Sequence, residues 1–313
     1  MVKDETGGAV ADDSAQPVVD PAFGADKDVR AATRRTYSGS PHADVAGYDP
    51  GMTRLVRDGV GLYYRERGAG DPSILLVHGI LCDHRYVAPQ LDYFGRSHRT
   101  IAVDLRGHGR SDDPHQGYTI NGLADDLAWM CGQLALDRPV VVGHSLGGIV
   151  ALALAGRHPQ SVRGVVALDS VLLAGESRRA AMTALLARLR SRNYLPVVRA
   201  YFAQFFDPSD DRERRQWVLA QIGGVPPHVG ISLWEDGTFE FDDAAAVSAC
   251  RAPLLYIDAG TPNVDLARLQ QLSPNLVLGR TVGSGHFHQL EVPDQVNAMI
   301  ARFVELNPLS AST

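Results

Sequence analysis

The run Val140-Val141-Val142-Gly143-His144-Ser145-Leu146-Gly147-Gly148 constrains the fold of this chain more than any other stretch. Its first part is β-branched and apolar, an apolar helix-forming run (Ile149 to Ala155) follows it, and Gly-x-Ser-x-Gly lies between the two. That order predicts a buried strand, a sharp turn and a helix, with Ser145 at the apex. So tight a turn strains the serine backbone and crowds the positions two before and two after it, where any Cβ would clash. Ser145 Oγ then stands clear of the backbone, and the free N–H groups of the helix N-terminus face whatever it attacks. The plainer alternative is a glycine-rich turn with an incidental serine; the flanking strand and helix favour a nucleophile.

Other segments extend the pattern. Residues 53–57 and 61–66 flank Asp58-Gly59 and predict a hairpin. Residues 73–77, 99–104 and 162–168 are near-continuous apolar runs, the mark of strands buried on both faces, and helical periodicity fills 119–135. Strands alternating with helices imply a mostly parallel, doubly wound α/β sheet. From about residue 172 the pattern changes: 176–192, 194–206, 210–221 and a short run from Pro226-Pro227 to Trp234 read as helices, with aromatics from Tyr194 to Trp234 among them. Strands resume at 253–257 and 276–282, and a last helix starts at Pro293. The expected organisation is a loosely packed tail at 1–47, a core at 48–171 and 251–313, and an inserted helical cap at 172–250, which would place some aromatics around a pocket.

Composition narrows the function. With 45% hydrophobic residues and a net charge of -6, the chain has ample core material and no basic block for a nucleic acid. The arginines of 178–215 alternate with acids and read as a solvated helix face. No apolar run approaches the roughly 18 residues of a membrane span. The first residues lack a signal peptide's apolar segment, and Cys82, Cys131 and Cys250 lack metal spacing, so a reducing cytoplasm is the expected location.

His78-Gly79 after one buried strand, Asp104-x-Arg106-Gly107-x-Gly109-x-Ser111 after the next, the Ser145 turn and Gly285-His286 before the last helix come in an order that resembles the α/β-hydrolase superfamily. The resemblance spans about residues 52–306. It implies Ser145 as nucleophile, His286 as base in preference to the nearby His288, and the backbone N–H groups of Leu146 and Ile80 as oxyanion donors. It assigns Asp104, Arg106 and Ser111 to loop bracing; Asp83 and His84, just beyond the oxyanion loop, either line the pocket or, as the preferred reading, are solvated loop residues. The acid departs from the common pattern, because the expected position at 261–263 reads Thr-Pro-Asn. Asp169, at the strand end after the nucleophile helix, is the preferred acid, as in haloalkane dehalogenases and zearalenone lactonases; Asp265 and Asp258 are the alternatives.

The reading is therefore a serine hydrolase acting on a hydrophobic small-molecule ester or lactone, with no metal or organic cofactor implied. The same triad also serves C–C bond hydrolysis, perhydrolase or lyase chemistry, or a slow-turnover ligand receptor. Haloalkane dehalogenase and epoxide hydrolase chemistry is disfavoured, since both need an aspartate where Ser145 stands.

Overall fold

The computed structural model describes residues 52–307 except Gly117, Arg192, Thr261 and Pro262. The tail expected at 1–47 lies outside the described residues.

β1 (Met52–Arg57) and β2 (Val60–Arg67) form the hairpin, turning through Asp58 and Gly59 at φ +50° and +84°, values that Asp and Gly reach cheaply. β3 (Ile74–Val77) leads to α1 (Ala88–Phe94), β4 (Thr100–Asp104) to α2 (Ile120–Gln133), and β5 (Val140–His144) to α3 (Leu146–Arg157). β6 (Gly164–Leu168) opens into the helices α4 (Glu176–Leu189), α5 (Tyr194–Phe202), α6 (Arg212–Gln221), α7 (Pro227–Glu235) and α8 (Asp243–Ala249). β7 (Leu254–Asp258), α9 (Leu266–Leu272), β8 (Leu276–Arg280), α10 (His288–Glu291) and α11 (Pro293–Leu306) follow.

Among the described residues one eight-stranded sheet forms, in the order β1-β2-β4-β3-β5-β6-β7-β8. β1, β2 and β4 pair antiparallel in sequence; every pairing from β4 through β3 to β8 is parallel. This is the doubly wound α/β architecture that the strand runs predict. Strands β3 to β7 are buried throughout, which explains why their sequences do not alternate with polar residues. Their side chains still alternate between faces: Leu75 and Val77 join the larger core, while Ile74 and Leu76 pack against Leu91, Phe94, Ile300 and Phe303 on the other side. Among the described residues no helix is long and apolar enough to cross a membrane.

β5 and β6 are central and parallel, so their C-terminal ends lie side by side. β8 is the edge strand, and the segment after it returns over those same ends. Residues far apart in sequence thus meet in the crevice where parallel α/β sheets hold their ligands.

Two glycines separate required from replaceable flexibility. A Cβ on Gly147 would fall inside the van der Waals radius of the Val77 carbonyl, whereas one on Gly132, exposed near the end of α2, meets nothing. Gly132→Ala should raise stability in urea unfolding by about 0.5–1 kcal/mol, and Gly147→Ala should lose more than about 3 kcal/mol or fail to fold.

Candidate active site

β5 delivers Ser145 at φ +53° and ψ −116°, immediately ahead of α3. That conformation is strained for a residue with a Cβ and persists because its surroundings over-determine it. The Ser145 N–H donates to the Leu168 carbonyl at 2.8 Å, fastening the turn to the end of β6. A Cβ on Gly143 would collide with the Gly147 carbonyl, and the backbone of β3 closes off Gly147. Both glycines are thus demanded by close backbone approach, as the motif implied.

Asp169 follows β6 directly, at φ +45°, its N–H donating to Ile257 O of β7 at 2.8 Å. Its Oδ2 accepts from His286 Nδ1 at 2.6 Å and from Asn263 Nδ2 at 3.0 Å, and its Oδ1 accepts from the Ala259 N–H at 3.3 Å. Burial on its own would raise the pKa of this 2% exposed carboxyl; the His286 hydrogen bond and charge outweigh it, and the net shift is downward. Asp169 is therefore ionised and can only accept, so His286 donates from Nδ1, and in the neutral ring Nε2 is the nitrogen with the lone pair. The other two carboxylates are engaged elsewhere. Asp258 takes Arg280 Nε at 2.7 Å, and Asp265 caps α9 by accepting the Arg268 N–H at 3.0 Å.

The loop carrying His286 is held from two sides. The His286 N–H donates to Phe205 O at 2.8 Å and the Gly285 N–H donates to Asp210 Oδ1 at 3.0 Å; a Cβ on Gly285 would strike the Phe205 carbonyl. From the sheet side, His144 Nε2 donates to the His286 carbonyl at 2.9 Å. Burial holds the His144 pKa well below the usual range, so the ring is neutral, and its Nδ1 has no partner among the described residues, which fits this tautomer.

A second buried histidine sets the opposite loop. His78 Nε2 accepts from the Leu105 N–H at 3.1 Å, leaving the hydrogen on Nδ1, which donates to Gly79 O at 2.7 Å. The next residue is Ile80. Ile80, Leu146, Ser145 and His286 line one cavity, whose wall includes Met182, Tyr201, Phe202, Phe205 and Trp234 from the segment between β6 and β7, and the polar side chains of Arg178, Arg179 and Asp243. The Leu146 N–H is the first of α3 and belongs to the donors a helix leaves unpaired.

One expectation fails. Asp83 and His84 are buried, not solvated: the His84 N–H donates to Asp104 Oδ1 at 2.8 Å and its Nδ1 lies 2.9 Å from the same atom. A buried carboxylate at the end of β4 needs donors, and this loop folds back to supply them. Arg106 pairs with Asp126 and Ser111 Oγ donates to Asp104 O at 2.6 Å, the bracing that the resemblance implies. His288 sits away from the cavity, its Nδ1 3.1 Å from Thr281 Oγ1, with burial holding its pKa at about 4. Among the described residues two groups could hold a metal ion, Asp113–His115–His228 and Asp83–His84–Asp104, and neither contributes to the Ser145 cavity. Sequence reasoning missed Asn263, His144 as a prop for the His286 loop, and Arg178. Nothing local in the sequence marks them, since each acts through a distant partner.

Comparison with known proteins identifies the family. A family model described as the alpha/beta hydrolase fold matches residues 72–293, and the chain belongs to that family. It is 38% identical over 278 residues to the 2-(acetamidomethylene)succinate hydrolase of Mesorhizobium japonicum, covering 84% of this chain and 98% of the relative. Among solved structures it is similar to Est816, described as an N-acyl homoserine lactone degrading enzyme (29% identity, TM-score 0.70, 80% of this chain and 100% of the other). A thermophilic esterase from Thermogutta terrifontis shares the fold at 22% identity (TM-score 0.72, 81% and 98%).

The downward shift at Asp169 has a stability consequence. With a folded pKa below its unfolded value of about 3.9, its contribution is complete above that pH and is lost as pH falls through the folded value. Asp169→Asn should therefore cost stability near neutrality, with the gap to wild type closing in acid, as read by urea unfolding across pH. Asp265→Ala should cost about 1 kcal/mol for the lost cap.

Proposed function

We propose that the protein is a serine hydrolase of carboxylic esters or lactones that works through an acyl-enzyme. The observation that carries this reading is the buried 2.6 Å hydrogen bond to ionised Asp169 from Nδ1 of His286, a residue that shares a cavity with Ser145. It leaves His286 Nε2 with a free lone pair. In this reading 172–250 caps the site and 48–171 with 251–313 forms the hydrolase core. The free cysteines suit a reducing cytoplasm.

Ser145 Oγ attacks the acyl carbon while its proton passes to His286 Nε2, and Asp169 stabilises the imidazolium that forms. The carbonyl oxygen becomes an oxyanion facing the N–H groups of Leu146 and Ile80, donors that need not reorganise as charge develops. Collapse breaks the bond to the leaving group, which takes the proton from His286. Water then attacks the acyl-serine, giving its proton to His286, and the free acid departs as Ser145 regains its hydrogen. The apolar wall of Met182, Tyr201, Phe202, Phe205 and Trp234 excludes water and favours an apolar portion of the substrate.

A second reading has its own support. The 38% identical relative is named for a molecule that contains an acetamido group, so an acyl bond to nitrogen is the next substrate class to try.

A fluorophosphonate probe should label the wild type and not Ser145→Ala; labelling of the variant would remove the nucleophile. On the best substrate of an ester, lactone and N-acetyl panel, Asp169→Asn should lower kcat by on the order of 10⁴, as a wrong tautomer does, with Asp258→Asn and Asp265→Asn near wild type. A single burst without turnover would favour a ligand receptor.

A further inference from the structure

The largely apolar cavity around Ser145 is also lined by two arginines whose position does nothing for the helix that carries them. Arg178 and Arg179 lie in the first turn of α4, where the helix dipole disfavours cations. Arg179 faces Asp243, whose carboxyl feels its charge. Arg178 is different. It is half-buried, and the partner the structure gives it is neutral: its Nη1 donates to Asn263 Oδ1 at 3.1 Å. Among the described residues no carboxylate pairs with it.

Asn263 fixes where that charge sits. Its Nδ2 must donate to the Asp169 carboxylate at 3.0 Å, so its Oδ1 must turn toward Arg178. The amide therefore stands between cation and acid. A direct Arg178–Asp169 ion pair would draw the carboxylate from His286 Nδ1; the intervening amide leaves that bond intact and leaves the guanidinium short of an anion, one side chain from the reacting groups. A guanidinium partly removed from water in this way offers parallel N–H groups in the geometry that suits a carboxylate.

We propose that Arg178 anchors a carboxylate of the substrate, so that this enzyme hydrolyses acyl compounds bearing a free carboxylate a short chain from the scissile carbonyl. The inference rests on the serine-hydrolase reading for its chemistry, while the anchor itself rests on Arg178, Asn263 and the cavity.

Two measurements test it. Calorimetry should show succinate, but not succinamide, binding to the wild type and to Ser145→Ala, with affinity falling by about tenfold or more in Arg178→Met and recovering in part in Arg178→Lys. In turnover, wild type should prefer monoethyl succinate to diethyl succinate by about tenfold or more in kcat/KM, and that ratio should collapse toward one in Arg178→Met through KM on the half-ester. Equal handling of half-ester and diester by wild type, or equal binding of succinate and succinamide, overturns the anchor, and both readings need only wild-type protein. An equal loss on both esters in Arg178→Met also overturns it, since Arg178 would then act only through Asn263 and Asp169. Arg178-dependent succinate binding with no ester, lactone or amide turned over would keep the anchor and remove the chemistry. Turnover through Ser145 that ignores charge would do the reverse.

Discussion

The site depends on backbone pressed against backbone at the end of β5. Gly147 lies against the β3 carbonyls and Gly143 against Gly147, so the chain can leave the sheet for α3 only through a residue at positive φ. Conformational strain at Ser145 follows from that contact and is offset by the packing of a fully buried parallel sheet on both sides. The same contact places the first N–H of α3 beside the serine. Strand, strain and unpaired donor are one geometric fact seen at three atoms.

The polar groups around that turn are dry, and a buried polar group left unpaired there is costly. Histidine does most of the pairing because one ring can donate on one side and accept on the other. His78 accepts from Leu105 and donates to Gly79, which fixes the loop ahead of Ile80; His144 donates to the backbone of His286. Burial keeps His144 neutral and lowers His78, so neither introduces a second positive charge beside the proposed base. Asp169 is the exception that stays charged, because donors from His286, Asn263 and Ala259 converge on it from separate segments.

Legibility in the sequence follows the range of the interactions. Strands buried on both faces are written locally as apolar runs, and the Ser145 turn as two glycines at fixed spacing, so the sheet and the strained turn could be read directly. Asp169 was readable only as a preference, since an aspartate after a strand looks the same whether it caps a turn or meets an imidazole 117 residues away. Asp83 and His84 misled for a related reason: polar residues in a loop read as solvated until the buried Asp104 they serve comes into view. Arg178 was the hardest case. A charge on an amphipathic-looking helix is assigned to solvent by default, and only the cavity behind α4 shows which way it faces.

The segment that walls the cavity also holds the His286 loop. Phe205 offers its ring to the wall and its carbonyl to the His286 N–H, while Asp210 takes the neighbouring Gly285 N–H. Displacing residues 205–210 to admit a substrate would strip these hydrogen bonds from the His286 loop and leave those from His144 and to Asp169. Each lost bond costs roughly 0.5–1.5 kcal/mol, enough to shift the loop population appreciably without unfolding it. The helices on that side therefore do more than shape the pocket. Their packing supplies the acceptors for the Gly285 and His286 N–H groups, so the cavity wall and the placement of His286 are set by the same contacts.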